Sequence, residues 1–151
     1  MLTIYIDADA CPVKDEVYKV ARRYALKVFV VANSTMRVPA DPPFELVVRS
    51  GFGAADDWIA GQIGPCDLCV TSDVPLAARC VAAGAVALDP KGRVFTPDTI
   101  GEAVAHRDLL EDLRAGGQVS GGPAPMTAKD RSRFLSRLDE AVNAARRAAQ
   151  G

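Results

Sequence analysis

A chain of 151 residues with 49% hydrophobic and 25% charged side chains is sized for one domain and buries roughly 70% of the surface its unfolded form would expose. It can build a core without disulfide or metal staples, and its ordinary share of charge excludes general disorder. Net charge is −1, from 18 basic and 19 acidic residues, so the overall balance argues neither for nor against a nucleic-acid partner. The apolar run at 28–32 is far too short to span a bilayer, and the opening MLTIYIDAD has no basic leader, so a cytoplasmic protein with no membrane partner is expected.

In chain order, a first strand is expected at residues 3–8. Pro12 then opens a helix with Val13, Val17, Val20 and Tyr24 at helical spacing down one side. A β-branched second strand follows at 27–32. Residues 33–43, rich in proline and small polar side chains, make a loop long enough to reach a ligand. A third strand (45–49), a short helix (54–63), a fourth strand (68–71), a helix (75–83) and a fifth strand (85–88) come next, with Gly84 at the helix C-cap. A turn at 89–92 and a brief extended piece at 93–95 lead into a helix over about 97–114. The loop 116–125, with four glycines and two prolines, is a connector or a flap. Thr127-Ala128-Lys129-Asp130 fits a capping box for a last helix over 127–149. Phe134, Leu135, Leu138, Ala141, Val142 and Ala145 give that helix a stripe that docks it on the body.

Alternating strands and helices predict an α/β fold, three layers with a mostly parallel sheet of about five strands, in a single domain spanning 1–151. The final segment, 126–151, holds six basic residues (Lys129, Arg131, Arg133, Arg137, Arg146, Arg147) against three acids (Asp130, Asp139, Glu140). Such a helix could lie along phosphates, although a solvated face is the commoner meaning of such a run. The four cysteines, Cys11, Cys66, Cys69 and Cys80, are expected to be reduced. The Cys66-x-x-Cys69 pair leads into a strand rather than opening a helix, and His106, the single histidine, cannot complete a zinc site.

The chemistry is in the acids. Alternation along a strand would project Asp7 and Asp9 from one side, about 6.6 Å apart, at the carboxyl end of a buried strand. Two such charges are tolerated only beside something positive or beside water. Asp73, after Thr71-Ser72, and Asp56-Asp57, at the start of the short helix, reach the same edge, with Asp57 turned toward solvent. Oxygen-only donors suit Mg²⁺ or Mn²⁺ better than zinc. Each acid has a structural alternative: Asp73 as an N-cap, Asp9 as a turn brace, Asp56 and Asp57 at a helix dipole. Asp7 has no helix end to serve.

Asp7-Ala8-Asp9-Ala10-Cys11-Pro12, Ala32-Asn33, Ala55-Asp56, Thr71-Ser72-Asp73-Val74-Pro75-Leu76-Ala77-Ala78, Gly121-Gly122-Pro123, Arg107-Asp108 and Asp130-Arg131 resemble the YaiI/YqxD family, over nearly the whole chain. That family is similar to the PIN-like nucleases, and the resemblance implies a PIN-like fold cleaving RNA or single-stranded DNA with Mg²⁺ or Mn²⁺. It carries the PIN-type catalytic and metal positions onto Asp7, Asp56 and Asp73, adds Asp9 as a family-specific ligand, and matches Thr71 to the small polar residue before the last acid. It also implies an aspartate where this chain has Gly53. On this reading Thr71 or Ser72 orients water or a ligand carboxylate, and Asn33 and Arg37 touch substrate, with a plain turn role open for Asn33. His106 is expected to be structural.

Three other readings compete. In a haloacid-dehalogenase-like phosphatase Asp7 would be the nucleophile, but the paired acids precede Thr71-Ser72 here instead of coming last. A dinucleotide site at Gly51-Phe52-Gly53 would set Asp56 and Asp57 against a pyrophosphate. A non-catalytic RNA- or protein-binding module would use the basic last helix and leave the acids structural.

Overall fold

Short β-branched runs alternate with helix-forming segments, and each run forms a strand. In the computed structural model, which describes residues 2–41, 43–117 and 125–150, these are β1 (Thr3–Asp7), β2 (Lys27–Ala32), β3 (Phe44–Val48), β4 (Leu68–Val70), β5 (Val86–Leu88) and β6 (Val94–Phe95). They form one six-stranded sheet in the order β3-β2-β1-β4-β5-β6. Every neighbouring pair is parallel except β5 and β6. The sheet thus has one strand more than the sequence suggested, because the extended piece near residue 94 pairs with β5, Leu88 opposite Val94. A two-residue strand is too short to show an alternation.

Five helices cover the two faces: α1 (Lys14–Tyr24), α2 (Ala54–Gln62), α3 (Val74–Ala82), α4 (Ile100–Ala115) and α5 (Ala128–Gln150). Because side chains alternate along a strand, Ile4 and Ile6 face one layer while Tyr5 and Asp7 face the other. On the first side Val13, Val17 and Val20 of the α1 stripe and Phe134, Leu138 and Val142 of α5 close over Ile4, Ile6, Val28 and Val70. On the second, Ile59, Leu76, Cys80 and Ala103 from α2, α3 and α4 meet Tyr5, Val31, Cys69 and Ala87. The architecture is therefore three-layered. The expected docking of the last helix is seen in its buried stripe, and its capping box is formed: Asp130 N donates to Thr127 Oγ1 at 3.0 Å and Thr127 N to Asp130 Oδ2 at 3.1 Å.

Several boundaries differ from expectation. α1 begins at Lys14, two residues after Pro12, and α4 begins at Ile100 instead of near 97. The first strand stops at Asp7, and Ala8–Ala10 form one 3-10 turn. Residues 118–124, which include most of the glycine-rich connector and Gly121-Gly122-Pro123, lie outside the described residues. All four cysteines are free, with Cys11, Cys69 and Cys80 buried. Among the described residues no helix is long and apolar enough to cross a membrane.

The strand order places the site. From β1 the chain moves outward to β2 and β3, then returns to β4 on the other side of β1 and moves outward again. Connections leaving β1 and β4 in opposite directions open a crevice at their carboxyl ends, where ligands bind in open α/β sheets.

Candidate acidic site at the strand switch point

Asp7 is the last residue of β1, and Thr71 directly follows β4, so the two flank the crevice. Both are buried, Asp7 at 5% exposure and Thr71 at 0%. The Thr71 hydroxyl donates its single proton to Asp7 Oδ2 at 2.7 Å and accepts from Asp73 N at 2.9 Å. Asp73 Oδ1 in turn accepts from Leu76 N at 3.1 Å, capping α3. The structural alternative for Asp73 is therefore real, but it engages only one oxygen. A backbone bond from Thr71 N to Leu88 O, 3.0 Å, ties this chain of contacts to β5, and one from Ser72 N to Ala10 O, 3.2 Å, ties it to the 3-10 turn.

Asp56 arrives from the first turn of α2, half-buried. Its carboxyl is pushed up to about 6, first by burial and then by the charges of Asp7 and Asp73. Asp7 is raised as well: burial is the largest cause, Thr71 opposes it, and the charges of Asp73 and Asp9 add to it. Three carboxylates from three elements thus repel one another across the crevice. Hydrogen-bonding proximity to the Asp73 carboxyl further favours a proton on Asp56. Among the described residues no group of three or more His, Cys, Asp or Glu side chains stands close enough together to hold a metal ion.

The other expected residues are placed differently. Asp9 does not share a strand face with Asp7, because the backbone has already turned out of β1. It is exposed, and its Oδ2 accepts from Asn33 N at 2.9 Å, so it braces the end of β2. Asn33 is held there by its backbone. Ser72 is exposed beside the acids. Arg37 is exposed on the loop after β2 and makes no hydrogen bond or ion pair among the described residues. Asp57 turns to solvent as expected, bound to Arg79 at 2.8 Å. His106 is exposed on α4.

One residue escaped the sequence reading. Lys14, in the first turn of α1, donates from Nζ to Cys11 O at 2.6 Å, and its charge partly offsets the rise that burial imposes on the Asp7 carboxyl. A lysine at the positive end of a helix dipole is the signal that could have found it.

The YaiI/YqxD family profile, described as that of an uncharacterised bacterial group, matches residues 5–144. The chain belongs to the YaiI/YqxD family. It is 56% identical to a UPF0178 protein of Rhodopseudomonas palustris (strain BisB18) over 140 residues, 92% of this chain and 90% of that one. It is 56% identical to a UPF0178 protein of Caulobacter sp. (strain K31) over 148 residues, 97% and 98% of the two chains. A UPF0178 protein of Gluconacetobacter diazotrophicus is 53% identical over 152 residues, 99% of each. No solved structure matches. The YaiI/YqxD match begins at Tyr5 and so takes in Asp7, Asp56, Thr71 and Asp73.

Proposed function

We propose that this YaiI/YqxD protein is a hydrolase that cleaves phosphodiester bonds in RNA or single-stranded DNA with Mg²⁺ or Mn²⁺, as its resemblance to PIN-like nucleases implies. The observation that carries the reading is that Asp7 at the end of β1, Asp56 in the first turn of α2 and Asp73 at the cap of α3 face one crevice, where burial and the facing charges push the Asp56 carboxyl up to about 6. A site that favours a proton among clustered carboxylates favours a divalent cation for the same electrostatic reason.

The donor set fits a hard ion: oxygen only, with Asp7, Asp56 and Asp73 to hold it and Asp9 at the rim. The spacing does not yet suit one, so loading requires the carboxylates to turn inward. Asp7 and Asp73 each keep one oxygen outside the hydrogen bonds described above, and Asp56 sits in the first turn of α2. When bound, such an ion lowers the pKa of water and neutralises a developing leaving oxygen. Thr71 fixes the Asp7 carboxylate, and Ser72 lies beside it to orient water. Lys14 and Asn33 flank the same edge, and with Arg37 of the loop after β2 they are assigned to the substrate phosphates.

Mn²⁺ titration by calorimetry, with cleavage of a fluorescent single-stranded RNA followed in parallel, tests this. Wild type is expected to give heat and cleavage, and the Asp7→Asn/Asp73→Asn double variant neither. Equal heats from the two proteins would end the metal reading. Salt-sensitive RNA binding without Mn²⁺ cleavage would favour a non-catalytic module.

A further inference from the structure

β5 and β6 are joined by a turn that Asp89 holds closed: Asp89 Oδ1 accepts from Lys91 N at 3.0 Å and from Arg93 N at 2.8 Å. Gly92, with φ +91°, presses its backbone onto α5. A Cβ there would stand 3.2 Å from Arg137 Cγ and 3.3 Å from both Arg133 Cγ and Arg133 O. This close approach sets two cations of the turn against two cations one helical turn apart on α5. A depression of about 470 Å³ results, lined by Lys91, Arg93, Arg133 and Arg137, with Asp89 as its single acid.

These cations are loosely held. Arg93 is 3.8 Å from Asp89, Arg133 is 3.8 Å from Asp130 and Arg137 is 3.6 Å from Glu140, all with exposed guanidiniums. Pairs this long and this wet are worth little and yield readily to a better anion. Among the described residues Lys91 has no carboxylate within 4.0 Å of its ammonium. Guanidiniums present planar forks matched to phosphate oxygens.

The groove's position supplies its ligand. Asp89 directly follows Leu88, whose carbonyl accepts from Thr71 N at 3.0 Å. Two strand spacings, about 10 Å, therefore separate the end of β5 from the end of β1. The groove lies on the α5 side of the carboxyl edge and the acids lie on the α2 side of that same edge. We infer that this groove binds the phosphodiester backbone of a single-stranded nucleic acid whose strand then crosses the sheet edge toward Asp7. The choice of polyanion rests on the phosphodiesterase reading; the anion site itself does not.

Fluorescence anisotropy of labelled oligouridylate and oligothymidylate, each about twelve nucleotides, in EDTA and at several salt concentrations, separates RNA from DNA without cleavage. Wild type is expected to bind at least one of them, with affinity falling as salt rises. Arg133→Ala/Arg137→Ala should bind several-fold more weakly, with a salt slope shallower by about 1.4, two contacts at about 0.7 each. Lys91→Glu, on an exposed side chain, should weaken binding in the same direction and serves if the double variant fails to fold. Unchanged affinity and slope in Lys91→Glu and in any folded double variant would overturn the inference, as would equal displacement by polyglutamate. Mn²⁺ calorimetry on the groove variants should match wild type. Groove-dependent binding with no Mn²⁺ heat in any protein would sink the catalytic reading alone, whereas heat with groove-independent binding would sink this inference alone.

Discussion

Asp56→Asn is expected to make the protein more stable near neutral pH while removing a carboxylate from the proposed site. Folding raises the Asp56 carboxyl from the usual 3.8 to about 6, so between those values the folded chain holds a proton that the unfolded chain releases. The resulting stabilisation is whole below about pH 4 and is lost as pH climbs through 6. The full gap corresponds to about 3 kcal/mol. Asp56 is only partly buried, and solvent screening of the Asp7 and Asp73 charges reduces this to about 1 kcal/mol. For a chain of this size that is a Tm increase of about 2–4 °C for Asp56→Asn at about pH 7.5. Near pH 4, where the folded wild-type side chain is itself neutral, the two proteins should melt almost together. Thermal melts at the two pH values, with EDTA present, measure both quantities. An offset identical at both pH values, or an asparagine variant less stable near neutrality, would refute the claim that burial and neighbouring charges raise this carboxyl.

Two further substitutions probe the same edge. Thr71→Val keeps the shape but strips partners from Asp7 Oδ2 and Asp73 N, both supplied by one hydroxyl; chemical denaturation should show a loss of about 2–3 kcal/mol, largely restored by Thr71→Ser. Gly53→Asp installs the acid that the family resemblance implies: Gly53 caps α2 with φ +70° and a Cβ there meets nothing within 4 Å. Aspartate tolerates that conformation and favours a helix N-terminus, so Tm should change by only a few degrees while Mn²⁺ binds more tightly by calorimetry; a large drop in Tm with unchanged Mn²⁺ heat would count against the site.

Much of this fold was readable because its signals are local. The α1 stripe, the capping box at Thr127 and the apolar face of α5 each lie within a few turns of chain, and each is present. Asp7 stood out because an acid inside an apolar strand has no local role. Asp9 was misplaced because alternation was carried two residues beyond Asp7, past the point where β1 gives way to a 3-10 turn. Nothing in the composition of Ala8-Asp9-Ala10 announces that turn. The basic groove was unreadable for a different reason: Lys91 and Arg93 lie some forty positions before Arg133 and Arg137, and only the close seat of Gly92 on α5 joins them.

Acids and bases on one sheet edge give the proposed reaction an electrostatic order. On the proposed reading a polyanion meets the Lys91, Arg93, Arg133 and Arg137 groove first, and its next phosphates face Asp7, Asp56 and Asp73, whose like charges repel them. Attachment at the groove should therefore depend on salt and not on divalent ions, because exposed cations are screened within about a Debye length. Engagement at the switch point should depend on divalent ions, because only added positive charge converts that cluster from repulsive to attractive for phosphate. Separating the two terms along the edge lets the strand be held before the site is loaded, and it ties hydrolysis to the carboxylates that burial already disfavours in their charged form.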